Sequence, residues 1–185
     1  MRARDPGHDV VVAATRRWVE RAVIGLNLCP FAKGVSVRGQ VRYAVSDAVN
    51  PDALLDDLES ELRLLSLAPA EQVETTLLIL PFVLRDFLDY NDFLDVADAA
   101  VERMALEGVI QVASFHPRYQ FDGTDPGDIT NYTNRSPYPI LHLLREASVD
   151  AAVAAFPEAE LIYQNNIDTM QRLGIDGWIA LGLDP

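Results

Sequence analysis

The chain has 185 residues, 49% of them hydrophobic, and a formal net charge of −13 from 28 acidic and 15 basic side chains. That is enough length for one domain with a proper core, and too much apolar content for a disordered chain. The acidic balance argues against nucleic acid and against an anionic membrane surface, both of which call for clustered Lys and Arg; it leaves a small molecule or another protein as partner.

Residues 1–9 read as a tail and residues 10–185 as a single globular domain. The N-terminus is charged and broken by Pro6 and Gly7, unlike a signal peptide, and no later stretch has the uninterrupted apolar length of a membrane span. The single cysteine, Cys29, permits no internal disulfide. A soluble cytoplasmic protein is the expectation.

From Val10 to Leu28 the apolar positions Val11, Ala14, Trp18, Ala22 and Leu26 recur at intervals of three and four, which predicts an amphipathic helix. It should stop near Cys29, because Pro30 disfavours helical geometry in the residue before it. Gln40–Val45 reads as a short strand. Asn50-Pro51 then supplies an N-cap and a first-turn proline for a helix with the stripe Leu54, Leu55, Leu58, Leu62 and Leu65. Thr75–Phe82, TTLLILPF, predicts a strand buried on both faces. A long helix is expected from Asp89 or Asp92 to Glu107 with Gly108 as its cap, followed by a strand over Val109–Phe115. Ser136-Pro137 reads as another helix start, running to about Ala147. A short helix over Asp150–Ala155 and one from Pro157 to Leu173, closed by Gly174, come next; the terminal WIALGL should pack down.

This alternation predicts an α/β (or α+β) fold with a small, mostly parallel sheet of three to four strands covered by helices. A ferredoxin-like antiparallel arrangement competes, with Val35–Arg38 as its fourth strand. In open parallel sheets ligands lie beyond the carboxyl ends of the strands. That rule would line the site with Ser46 and Asp47, with Arg85 and Asp86, and with His116.

The run Ser114–Ser136 is the most informative segment. It holds about twenty residues without periodicity, where most connections take about 4–6, and it is rich in chemistry. His116, between an apolar strand and a proline, is a candidate general acid, general base or metal ligand; pinning the loop is its structural alternative. Arg118 and Arg135 are candidate clamps for a carboxylate or phosphate, or ties to the loop itself. Tyr119 and Tyr132 are candidates to orient a ligand, with core packing and a satisfied hydroxyl as the commoner fate; Asn134 is a further candidate, and Asn165 suits a ligand contact or a hydrogen bond to the loop equally. His142, on the expected helix with Arg145 and Glu146, would join His116 and a carboxylate such as Asp122 in a two-histidine metal site. Neither HExxH nor paired CxxC occurs to support it. DGTDPGD fails the EF-hand spacing and reads as turn chemistry. Cys29 closes a helix, the wrong end for a lowered thiol pKa, so a buried structural role leads, with a thiolate nucleophile or metal ligand as the alternative. Asp86, Asp89, Asp92, Asp95 and Asp98 read as a solvated helix face. No GxGxxG, P-loop or GxSxG motif is present.

The segments LNLCPFAKGV, QVRYAVSDA, SFHPRYQFDG and NYTNRSPYPILHLLRE together resemble the bacterial family known as domain of unknown function 1415, over roughly Val10 to Leu183. The resemblance implies a stand-alone single-domain protein. It transfers no activity and assigns no role to Cys29, His116 or His142. The functional expectation therefore rests on the residues: a small soluble enzyme acting on a polar or anionic small molecule through the 114–136 loop. His116 would be its acid–base group, with Cys29 nearby, or a ligand to a divalent metal cofactor. The alternative is a non-catalytic ligand- or protein-binding domain with structural histidines.

Overall fold

The computed structural model describes residues 6–155 and 161–183. Among them four strands form one sheet: β1 (Val41–Val45), β2 (Thr75–Ile79), β3 (Ile110–Phe115) and β4 (Ile140–Arg145), in the spatial order β1-β2-β4-β3. β1 is parallel to β2, while β4 is antiparallel to both β2 and β3. Three strands thus point one way, with β4 inserted against them. The class is α+β, and the sheet is mixed rather than mostly parallel. The competing fourth strand at Val35–Arg38 is not formed, because those residues belong to helix α2 (Ala32–Val37) and its cap.

The source of the fourth strand is the main correction. Ser136-Pro137 opens no helix; Ile140–Arg145 is a strand, with Leu77 and Ala113 facing His142 from either side. The LHLLRE run suits a helix by propensity, but such preferences amount to only about 0.5 kcal/mol per residue. In the centre of the sheet Ile140, Leu141 and Leu143 are completely buried, and burial of each side chain stabilises by about 1.5–3 kcal/mol. Packing decides.

Helix α1 (His8–Trp18) begins within the expected tail and continues as a π-helix over Val19–Ile24. Trp18, Ala14 and Val11 pack on the sheet face formed by Leu77, Ile79 and Ile140. The opposite face, with Ala44, Leu78, Leu141 and Leu143, is covered by α3 (Pro51–Leu67) and α4 (Phe87–Arg103). The predicted Leu stripe of α3 is buried, and Asn50 Oδ1 caps the helix by accepting from Ala53 N. α4 starts earlier than expected because Asp86 accepts from Leu88 N, and it ends at Arg103, before Gly108. After β4 come α5 (Glu146–Ala155) and α6 (Ile162–Ala180); the expected start at Pro157 lies outside the described residues. Gly174, at φ 65° and ψ 175°, breaks the helix as expected, and a second helical segment resumes beyond it within the α6 span. Of the terminal apolar stretch, Leu183 packs down while Ile179 stays exposed. Among the described residues no helix is long and apolar enough to cross a membrane.

Candidate functional site

Because β1, β2 and β3 run in the same direction, Ser46, the Arg85–Asp86 pair and His116 leave the sheet at one edge, as the carboxyl-end rule expects. His116 is fully buried there, its ring 5.1 Å from that of Tyr90 and 5.4 Å from that of Phe87. Its Nδ1 accepts from Arg118 N at 3.0 Å, so Nε2 carries the proton and donates to the Leu84 carbonyl at 3.1 Å. Desolvation lowers its pKa to about 4, against the pull of the Leu84 carbonyl. Both ring nitrogens are therefore spent on backbone groups. Leu84 is itself in the left-handed region, at φ 53°, so His116 fixes a strained turn between β2 and α4. Arg118 seals the same junction, donating to Arg85 O at 2.7 Å and pairing with Asp86 at 3.2 Å.

The remaining loop residues hold the loop. Asn131, fully buried, accepts from Phe121 N and Thr124 Oγ1 and donates to Asp125 O. Asn134 donates to Ser114 O, and its own carbonyl accepts from His116 N. Arg135 donates to Tyr119 O and Pro126 O and stacks on Tyr132, 4.0 Å from the ring centroid. Tyr119 packs between Phe87 and Phe121. Tyr132 meets Trp178 edge-on at 5.2 Å, which docks the second half of α6 on the loop.

His142 does not share a helix face with Arg145 and Glu146. It lies within β4, its Nε2 2.8 Å from Thr75 Oγ1, whose proton goes to Leu143 O at 2.7 Å. The hydroxyl has one proton to give, so His142 is the donor to it. Desolvation brings its pKa down to about 4. Arg145 reaches Val73 O and Ala68 O instead of a ligand. Asp122 is exposed on the loop. Among the described residues no three His, Cys, Asp or Glu side chains converge as a metal site. The structure does not gather His116, His142 and Asp122. Cys29 is half-buried in the turn between the π-helix and α2.

Two concavities flank this scaffold. A cleft of about 880 Å³ lies between the end of the π-helix and α6. Leu26 and Asn27 form one wall; Asn165, Asp168, Thr169, Gln171 and Arg172 stand on the other. The walls are tied by Asn166 Nδ2 donating to Leu28 O at 2.9 Å. The first wall is unusual backbone: a π-helix, a rare element frequent at functional sites, ends at Gly25, where a Cβ would collide with the Arg21 carbonyl, and Asn27 follows at φ 54°. A second groove of about 580 Å³ opens at the strand carboxyl ends between the first turns of α3 and α4.

The chain matches, over residues 10–180, the family model described as a protein of unknown function, DUF1415. It belongs to the DUF1415 family. No curated protein and no solved structure matches it. For this DUF1415 chain the residues that sequence reasoning missed are those that complete hydrogen-bond circuits. Asn131 carries no sequence signal beyond its place in a polar loop. Tyr90, whose hydroxyl donates to Ile140 O and accepts from Phe115 N, stands out only as an aromatic among the aspartates of α4. Burial pushes that hydroxyl far above its ordinary pKa, so it stays a neutral bridge between β3 and β4.

Proposed function

We propose that this protein is a binding domain for a polar small molecule, with the ligand seated in the cleft between the π-helix and α6. The 114–136 loop is then its scaffold, holding α6 in place through Tyr132 and Trp178. One observation carries the reading: Asn27, Asn165 and Gln171 line the cleft with no side-chain hydrogen-bond partner among the described residues, beside the guanidinium of Arg172. Amides facing open volume suit hydroxyl and amide groups, the Asp168 carboxylate suits an ammonium, and the guanidinium of Arg172, which also donates to Asp168 O and Thr169 Oγ1, suits a carboxylate. A polar hydroxy or amino acid is the class that matches. Acid–base chemistry at His116 is less well supported, because it would require freeing a ring nitrogen from Leu84 or Arg118 and opening the loop.

The test is a panel of hydroxy acids and amino acids, followed by thermal shift and by NMR titration. Saturable binding should weaken about tenfold in Asn165→Ala and in Arg172→Ala, the scale expected for a lost charge-assisted bond, and persist in His116→Gln. Binding that survives both cleft variants but disappears in a folded His116→Gln protein would return the site to the strand edge.

A further inference from the structure

The groove at the strand carboxyl ends has a different chemistry from the polar cleft. Its floor and one wall are apolar, from Phe82, Phe93 and Val49, and its other wall is the acidic face of α4. Val49 is 72% exposed and Val96 is 40% exposed, both on this surface. Asp89 and Asp92 sit three residues apart on one side of α4, with Val96 four residues beyond, so carboxylates and apolar groups line the same stripe. Neither Asp89 nor Asp92 has an ion-pair or hydrogen-bond partner among the described residues. Arg85 and Asp86 also line the groove: Asp86 is paired with Arg118, and Arg85 is folded back on the Pro81 carbonyl through Nε at 3.0 Å and Nη2 at 2.8 Å and pairs with neither Asp89 nor Asp92.

We propose that this groove is a docking site for a basic, apolar segment of another polypeptide, its Lys or Arg side chains on Asp89 and Asp92 and its apolar side chains against Val49, Phe82 and Val96. Charge complementarity selects the occupant. The unpaired carboxylates attract cations, and the net charge of −13 steers basic partners and repels anionic ones. The exposed valines select a peptide over a small cation, which would leave them in water. The stretch from Asp86 to Val96 spans about 15 Å of helix, room for about three turns of a docked helix. The site is independent of the polar cleft, which shares none of these residues.

The experiment uses the full chain and a fluorescein-labelled amphipathic peptide of leucines and arginines, compared by anisotropy with the same peptide carrying glutamate for arginine. The arginine peptide should bind saturably and weaken with salt. Asp89→Asn with Asp92→Asn should reduce affinity about tenfold, and so should Val49→Ser with Val96→Ser, while circular dichroism stays unchanged. All four residues are at the surface or groove rim, so folding is not at stake. Equal binding of the glutamate peptide, or indifference to either pair of substitutions, would overturn the proposal. Displacement by spermidine with no loss in the valine variants would overturn it in favour of a small-cation site. Self-association abolished by the same variants, with no peptide binding, would overturn it in favour of a second copy of this chain.

Discussion

His116 and His142 are the residues that sequence reasoning made prominent and the structure reassigns to the scaffold. Each is neutral in the folded protein, with its pKa lowered from 6.5 to about 4 by desolvation. Unfolding releases them to their ordinary value, so between about pH 6.5 and 4 the unfolded chain binds more protons than the folded one. Their contribution to stability is therefore complete above pH 6.5 and is lost as pH falls toward 4, on the order of 3 kcal/mol for each. Urea unfolding should give a lower midpoint at pH 5 than at pH 7.5, and His116→Gln should flatten that dependence. An unchanged slope in the variant would show that His116 is not held neutral. The location of His116 was legible in the sequence, as the first residue after a strand and before a proline. Its role was not, because Leu84, whose carbonyl it holds, is 32 residues away in the chain.

At the scale of elements, capping residues were the most legible signals. Asn50-Pro51 set the start of α3 as expected, and Asp86 could have set that of α4, since aspartate is a strong N-cap. The α4 start was missed because Asp89 and Asp92 offer the same chemistry a turn later. Ile140–Arg145 reads as helix for a different reason: six residues, four of them aliphatic, carry no period long enough to separate helix from strand. Gly174 is legible as a helix end, and the structure breaks the helix there, with a second helical segment carrying Trp178 beyond it. The Gly174 backbone, at φ 65° and ψ 175°, lies in a region essentially limited to glycine. Gly174→Ala should therefore cost roughly 1–3 kcal/mol and lift Trp178 from Tyr132. In a Trp18→Phe background the fluorescence of Trp178 should shift to the red, while Gly127→Ala, at a position with open space and ordinary backbone, should leave it unchanged.

For the whole molecule, the excess of carboxylates sets the electrostatics. The described ion pairs, such as Arg42 with Glu61 and Arg118 with Asp86, neutralise few of the 28 acidic residues. Self-repulsion of this kind is screened by salt within a Debye length of about 10 Å at 0.1 M. The melting temperature should rise by roughly 2–4 °C between about 10 mM and about 300 mM sodium chloride. A fall over that range would mean that the ion pairs outweigh the repulsion. The same field bears on recognition, since it favours a basic partner at the acidic groove and makes that association sensitive to salt.

By itself the sequence determined the class of the fold, the apolar stripes of α1 and α3, the buried strand β2, the edge at which the long loop leaves the sheet and the membership of the family. These follow from local rules: periodicity over a dozen residues, caps, and prolines that forbid particular geometries. Tertiary structure alone decided that Ile140–Arg145 would be a central strand, that both nitrogens of His116 would be occupied by backbone, and that Arg118 and Arg135 would close on carbonyls within the protein. Each of those outcomes depends on which buried polar group meets which partner. Such pairs form between residues far apart in the chain, where no periodicity reaches, and an unsatisfied buried group costs about 1–3 kcal/mol.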